Sequence, residues 1–151
     1  MADVVSPDVR SRMMSGIRGA NTKPELLVRR GLHRRGLRFR LHRKDLAGRP
    51  DIVFSRYRTV IFVHGCFWHA HECRLFSWPK SNAAFWRKKI LDNRKRDQRN
   101  VATLLKESWR VIVIWECALR GKDDAALYAL FAAVENDIRS ASRVEVITHA
   151  G

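Results

Sequence analysis

One stretch, Val60-Ile61-Phe62-Val63-His64-Gly65-Cys66-Phe67-Trp68-His69-Ala70-His71-Glu72-Cys73, constrains this chain more than any other. It begins as an apolar, β-branched run, the pattern of a buried strand. Gly65 then lets the backbone turn or be approached closely. After it stand two cysteines and two adjacent large rings, and with His64 the segment holds three histidines. Soft metal ligands, titratable bases and exposed-looking rings seldom crowd together where a segment only has to fold. This stretch is expected to carry the chemistry, with partners supplied from elsewhere in the chain.

A length of 151 residues suits one domain with one sizeable core, and 46% hydrophobic with 30% charged residues excludes a disordered chain. The net charge of +15 calls for a polyanionic partner, most simply nucleic acid, rather than a merely well-solvated surface. The basic residues lie mostly before Cys117. No apolar run approaches the roughly 20 residues of a membrane span, and no apolar leader opens the chain, so a cytoplasmic protein is expected. Three cysteines cannot all pair within one chain. In a cytosolic protein, metal binding is the better first reading of them.

In order, Ser6-Pro7-Asp8 has the form of a helix start, and that helix would carry Val9, Met13 and Ile17 on one face. Met14 lies off the stripe and is expected to be exposed. Thr22-Lys23-Pro24-Glu25 has capping-box spacing for a second helix ending near Gly36, which gives Glu25 a structural role that competes with any catalytic one. Leu37 to Leu41 alternates apolar and basic residues, as a half-wet strand does. Asp51–Phe54 and Thr59–Val63 are strands joined by Ser55-Arg56-Tyr57-Arg58, a loop short enough for an antiparallel hairpin. Pairing Phe54 with Thr59 puts Asp51 opposite Phe62, so that Asp51 and His64 project from one face as diagonal neighbours. Residues 82–108 read as a helix with a dense basic surface including Arg87, Lys88, Lys89, Arg94 and Lys95, with Phe85 and Trp86 interleaved. This is read as a phosphate-facing surface. A buried strand from Arg110 to Trp115, a helix from Asp123 to Ile138 and a short strand from Val144 to Ile147 complete an α/β class with a mixed central sheet.

Cys66 follows one buried strand and Cys117 follows another. If those strands are parallel neighbours, the three cysteines and one histidine make a tetrahedral Cys₃His site suited to zinc. Four protein ligands leave no open position, so that metal would be structural. Spacing alone leaves His69 and His71 both open as the nitrogen ligand, and leaves three buried free thiols as the alternative.

Pro50-Asp51 opening a strand, followed by a strand with a functional end, resembles the PD-(D/E)xK nuclease arrangement, with Phe62 and His64 standing where its second acid and lysine are usual. Asp51, Val63-His64-Gly65-Cys66-Phe67-Trp68-His69, His71-x-Cys73 and Trp115-Glu116-Cys117-Ala118-Leu119-Arg120-Gly121 together resemble the very short patch repair (Vsr) endonuclease family. So does the N-terminal run Arg12-Met13-Met14-Ser15-Gly16-Ile17-Arg18 through Glu25. The likeness extends to about Gly121.

That resemblance implies a catalytic magnesium ion on Asp51, helped by the Val63 backbone carbonyl, where the family commonly has threonine. It implies catalytic roles for His64, His69 as the base, and Glu25. It also selects Cys66, His71, Cys73 and Cys117 as ligands of a structural zinc. Phe67, Trp68 and Trp86 would wedge into the DNA stack beside a mismatch, with Met14 entering from the other groove. Opening a step costs less where pairing is already poor.

The expected function is a magnesium-dependent endonuclease that nicks one strand 5′ to the T of a T·G mismatch left by deamination of 5-methylcytosine. Its partner would be double-stranded DNA, with functional links to a cytosine-5 methyltransferase and mismatch-repair proteins, and it would act as a monomer away from membranes. The alternatives are a restriction-type or broader-mismatch nuclease on the same scaffold, and a zinc-stabilised DNA-binding protein without catalysis. One domain, 1–151, is expected, comprising a DNA-contacting helix (1–20), a catalytic core (21–121), and a C-terminal helix and strand (122–151).

Overall fold

The structure, a computed structural model, describes residues 21–140 and 143–151. The helix expected after Ser6, and Met14 with it, lie outside the described residues. Three helices and five strands follow in the order α1 (Lys23–Arg34), β1 (Arg40–Leu41), β2 (Ile52–Phe54), β3 (Thr59–His64), α2 (Ala83–Lys106), β4 (Arg110–Trp115), α3 (Asp124–Arg139) and β5 (Val146–His149). The strands form one mixed sheet in the order β1-β2-β3-β4-β5. β1, β2 and β3 pair antiparallel, while β3, β4 and β5 pair parallel.

The central strands β3 and β4 are apolar on both faces because each face is covered. One face carries Ile52, Phe54, Ile61, Ile112 and Ile114 against Val28 and Leu32 of α1 and Phe131, Val134 and Ile138 of α3. The other carries Val53, Val60, Val111 and Val113 against Leu104 at the end of α2 and Trp109. Gly31 allows α1 and α3 to meet closely: a Cβ there would lie 2.3 Å from a ring carbon of Phe131. Even Gly31→Ala would make the Phe131 ring or the helices shift.

The hairpin register is the expected one, with Phe54 opposite Thr59, but the ladder stops at Ile52–Ile61, one pair short of Asp51–Phe62. A side chain takes over there. Asp51 Oδ2 accepts the Val63 N–H at 2.7 Å. The connecting loop is a single 3₁₀ turn closed by Arg58 in the left-handed region (φ 52).

Three local expectations are corrected. The strand from Leu37 to Leu41 shrinks to Arg40–Leu41, because Leu37 turns into the core while both strand residues stay exposed. The capping box is half made: Thr22 Oγ1 accepts the Glu25 N–H at 3.4 Å, but the Glu25 carboxylate is engaged with Arg29 and His42 instead. Gly65 needs no glycine-only conformation, and a Cβ there would make ordinary contact with Trp68 at 3.5 Å.

Candidate functional site

Among the described residues the chemistry-bearing side chains gather in three clusters at the ends of β2, β3 and β4, each bringing its ligand atoms within 4.8 Å of one another.

The first cluster is Cys66, His71, Cys73 and Cys117. Parallel pairing sets His64 beside Trp115, so the loops leaving β3 and β4 start side by side. Cys66 and Cys117 are buried, and Cys117 Sγ lies 3.6 Å from His71 Nδ1. Zn–S and Zn–N bonds of about 2.3 and 2.0 Å give tetrahedral S···N edges of about 3.5 Å, so the spacing fits a tetrahedral ion. The His71 ring is further fixed by stacking on Trp115, with centroids 4.1 Å apart and planes 8° apart. Burial first, and then the neighbouring thiols, push the Cys66 thiol up to about 12. A bound cation would reverse that balance by favouring the thiolate. His69, the rival nitrogen ligand, belongs to a different cluster.

The second cluster is His64, His69 and Asp97. The two imidazoles stack with centroids 3.9 Å apart and planes 7° apart. Burial, and then the charge His69 would carry, push His64 down to about 3. It is therefore neutral near pH 7, and its buried Nδ1 has no hydrogen-bond partner among the described residues. His69 Nδ1 is in close contact with Asp97 Oδ2. A neutral His69 that donates Nδ1–H to Asp97 keeps Nε2 as a proton acceptor. A cavity of about 670 Å³ opens here, lined by His64, His69, Arg94, Asp97, Trp115 and Thr148 among others.

The third cluster is Glu25, His42 and Asp51. Glu25 is 2% exposed, an uncommon position for a carboxylate without partners. His42 Nε2 lies 2.9 Å from Glu25 Oε2 and 4.0 Å from Asp51 Oδ1. The His42 N–H donates to the Asp51 carbonyl at 3.3 Å, which carries the β1–β2 edge one step further and brings the ring to the site. Burial, followed by the charge of Glu25, pushes the Asp51 carboxyl up to about 7 despite the Val63 hydrogen bond. A group raised in the folded state contributes stability that is full below its unfolded value of 3.8 and is lost as pH rises through about 7. Without added divalent metal the protein should therefore lose melting temperature between about pH 4 and pH 7 from this residue, and Asp51→Asn should flatten that slope. An identical slope in the variant would assign it to other groups.

Beside these clusters the rings of Phe67, Trp68 and Trp86 contact one another, with centroids 5.2 to 5.8 Å apart. All three are half-buried, and none joins either core cluster. Buried Asn93 donates to the Trp68 carbonyl at 3.2 Å and ties this loop to α2. Along α2, Arg87, Lys88, Arg94 and Lys95 are exposed and Lys89 is partly buried.

Asp97, His42 and Arg29 escaped the sequence reading. Asp97 had a signal, as the one acid between Arg94 and Arg99. His42 and Arg29 had none, since each looks like a member of an ordinary basic surface.

A family model described as DNA mismatch endonuclease Vsr matches residues 2–75. The type II nicking enzyme V.XorIIP of Xanthomonas oryzae pv. oryzae is 56% identical over 119 residues, spanning 79% of this chain and 88% of that protein. V.NmeAIP, a type II nicking enzyme of Neisseria meningitidis, is 47% identical over 122 residues, spanning 81% and 87%. The DNA mismatch endonuclease Vsr of Escherichia coli is 44% identical over 135 residues, spanning 89% and 86%. In class the protein is a DNA endonuclease, a hydrolase. The chain belongs to the Vsr family of DNA mismatch endonucleases.

Proposed function

We propose that this endonuclease nicks one strand 5′ to the T of a T·G mismatch, using a magnesium ion on Asp51 and a fold held by a structural zinc. The observation that carries the reading is the separation of a carboxylate cluster at Asp51 from a histidine–aspartate pair at His69, both at the strand ends beside a basic helix. A cation ligand and a general base are thereby available as distinct groups.

Magnesium, when bound, would polarise the scissile phosphate and stabilise its developing charge. Asp51 would hold it. The Val63 N–H already faces Asp51, and in an extended strand a residue's carbonyl leaves on the same side as its N–H, which supports the Val63 carbonyl as a second ligand. His69 Nε2 takes the proton from the attacking water while Asp97 fixes the ring and steadies the imidazolium that forms. Neutral His64 stacks against His69 and fixes the plane of that ring. Glu25 adds negative charge beside Asp51. Cys66, His71, Cys73 and Cys117 suit zinc by ligand softness, and the sheet with its strand-end acid is consistent with a PD-(D/E)xK-like core in a single nuclease domain.

Asp97→Asn should lower nicking by about 10²-fold or more, within the usual range for general-base catalysis, with duplex affinity unchanged. A full rate from this variant would reduce the His69–Asp97 pair to a surface contact.

For substrate choice, the half-buried Phe67, Trp68 and Trp86 are read as the wedge, with Met14 as its counterpart. Arg87, Lys88, Lys89, Arg94 and Lys95 are read as the phosphate-binding surface. Those basic contacts give affinity for any duplex and weaken steeply with salt, whereas the wedge meets a lower unstacking cost at a mispair. Trp68→Ala should reduce nicking of T·G duplexes far more than it reduces nonspecific binding. Arg94→Ala should lower binding to all duplexes and flatten the salt dependence. A Trp68→Ala protein that kept its T·G preference would remove the ring from recognition.

The reading extends to a monomer acting in the bacterial cytoplasm, coupled in function to a cytosine-5 methyltransferase and mismatch-repair proteins. No helix among the described residues is long and apolar enough to cross a membrane. The type II nicking enzymes among the relatives favour one second reading, a nicking enzyme with broader mismatch or sequence tolerance. A panel of labelled duplexes, each with one mismatch in varied flanking sequence, separates the two: nicking confined to T·G supports the first, and nicking at several mispairs the second.

A further inference from the structure

The aromatic contacts continue outward beyond Phe67, Trp68 and Trp86. Phe67 meets Phe76 with centroids 6.1 Å apart, and Phe76 meets Trp78 edge to face at 5.0 Å. With a rise of about 3.4 Å per base step, Trp78 stands no more than about three steps from Phe67. The segment bearing it leaves Cys73 through a turn in which the Phe76 N–H donates to the Cys73 carbonyl at 3.1 Å. Trp78 is 38% exposed and joins neither core cluster, so packing alone does not account for so large a ring here.

Arg87, the residue after Trp86, lies over that ring, its guanidinium carbon 4.5 Å from the centroid. The helix offers it no acid: the positions three and four away hold Ala83, Ala84, Ile90 and Leu91. Its neighbour Lys88 differs, with Nζ 3.1 Å from Asp92. Among the described residues Arg87 makes no hydrogen bond or ion pair. The indole therefore orients the guanidinium while its N–H donors stay unspent. Those donors lie in the plane of the group, so covering one face leaves the edge that forks onto two oxygens.

We propose that Trp78 and Arg87 form a phosphate clamp: Trp78 holds the guanidinium so that its edge takes two oxygens of one DNA backbone phosphate, within about three steps of the mispair. The proposal rests on the reading of Phe67, Trp68 and Trp86 as the wedge. The ligand is duplex DNA because the clamp is continuous with those rings and lies on the basic side of α2, in a chain of net charge +15. Arg87 binds the phosphate and Trp78 is a positioning residue. A positive charge anywhere on α2 attracts a duplex, whereas a fork on one phosphate fixes where the duplex stops, and so sets the register of the rings against the mispair.

Nicking of T·G duplexes and the salt dependence of binding to matched duplexes are measured for wild type, Arg87→Lys, Arg87→Ala, Trp78→Ala and Trp78→Phe. Arg87→Lys keeps the charge and loses the fork, and Trp78→Ala releases the guanidinium. Each should lower nicking by about tenfold with the salt slope unchanged, and Trp78→Phe, which keeps a ring face, should restore most of the rate. A scan with one methylphosphonate at each phosphate within three steps of the mispair should find one position that slows wild type and has no further effect on Arg87→Ala. Replacing guanines at the same steps by 7-deazaguanine should change nothing. A full rate from Arg87→Lys or from Trp78→Ala overturns the clamp, as does a scan in which Arg87→Ala and wild type respond alike. Slowing by 7-deazaguanine that Arg87→Ala removes would place the guanidinium on a base and overturn the phosphate assignment. A Trp68→Ala protein that keeps its T·G preference would refute the wedge alone, since the methylphosphonate signature reads the clamp independently of it.

Discussion

Asp51→Ala should abolish the proposed magnesium-dependent nicking, by about 10³-fold or more, while duplex binding persists; losing one preorganised stabiliser of transition-state charge commonly costs about 10²–10³. The expectation follows from how the residue is held. Pro50 cannot donate to a ladder, the β2–β3 ladder ends at Ile52, and the Asp51 carboxylate fills the gap by accepting the Val63 N–H at 2.7 Å. The carboxylate is thus aimed before any ion arrives. Burial and Glu25 together push it up to about 7, so a cation has more to stabilise here than at an exposed aspartate. On the proposed reading duplex affinity comes from a different surface, the basic face of α2, and should survive. Removing the carboxylate also leaves the Val63 N–H without its acceptor, at a cost of about 1–3 kcal/mol. Asp51→Asn keeps an acceptor there and separates the two effects: it should fold like wild type and still fail to nick. Product formation on an end-labelled mismatched duplex, alongside a gel-shift titration, measures both. Cleavage at the wild-type rate by Asp51→Asn would remove Asp51 from the catalytic site.

Cys117→Ala should be the most damaging change to stability. Cys117 is 1% exposed, it lies in the 3₁₀ turn Glu116–Ala118 after β4, and its Sγ faces His71 from the loop after β3. If zinc occupies the four-ligand cluster, its binding energy is folding energy, and losing one thiolate should cost on the order of several kcal/mol. The loop carrying Phe67, Trp68 and His69 hangs between the proposed ligands Cys66 and His71, so its loosening would reach both the proposed wedge and the proposed base. Chelation of wild type should reproduce the variant's lowered melting temperature, and readdition of zinc should restore wild type but not the variant. Folded, active wild type free of zinc by metal analysis would end the proposal. A Cys117→Ala protein with unchanged melting would confine Cys117 to packing.

Much of the frame is legible in local pattern. Uninterrupted β-branched runs mark β3 and β4 as strands covered on both faces, and Thr22-Lys23-Pro24 marks the start of α1. Arg110–Trp115 has the same bounds in sequence and structure, the apolar run from Val111 to Trp115 being set off by Arg110 before it and Glu116 after it. That the three cysteines would meet was already implied by two of them placed just past two such strands, since parallel neighbours end together, whereas His71 rather than His69 was selected only by the family resemblance.

What the sequence by itself determined, then, is where strands and helices run, which residue types can bear chemistry, and, through the ordered motifs, the family. The tertiary structure alone decided how those residues are shared out. Asp51 and His64, expected as neighbours on one face, fall into different clusters, because the ladder ends before Asp51 and its carboxylate turns to Val63, near Glu25. Glu25 leaves the cap that its spacing advertised, because α1 packs its first turn over that strand end, where Arg29 and His42 hold a buried carboxylate better than a backbone N–H would. Asp97 meets His69 across 28 positions of sequence. Local pattern reports what a residue does to its own element, through periodicity, capping and propensity. The partner of a buried charge is set by which elements the packed sheet brings together.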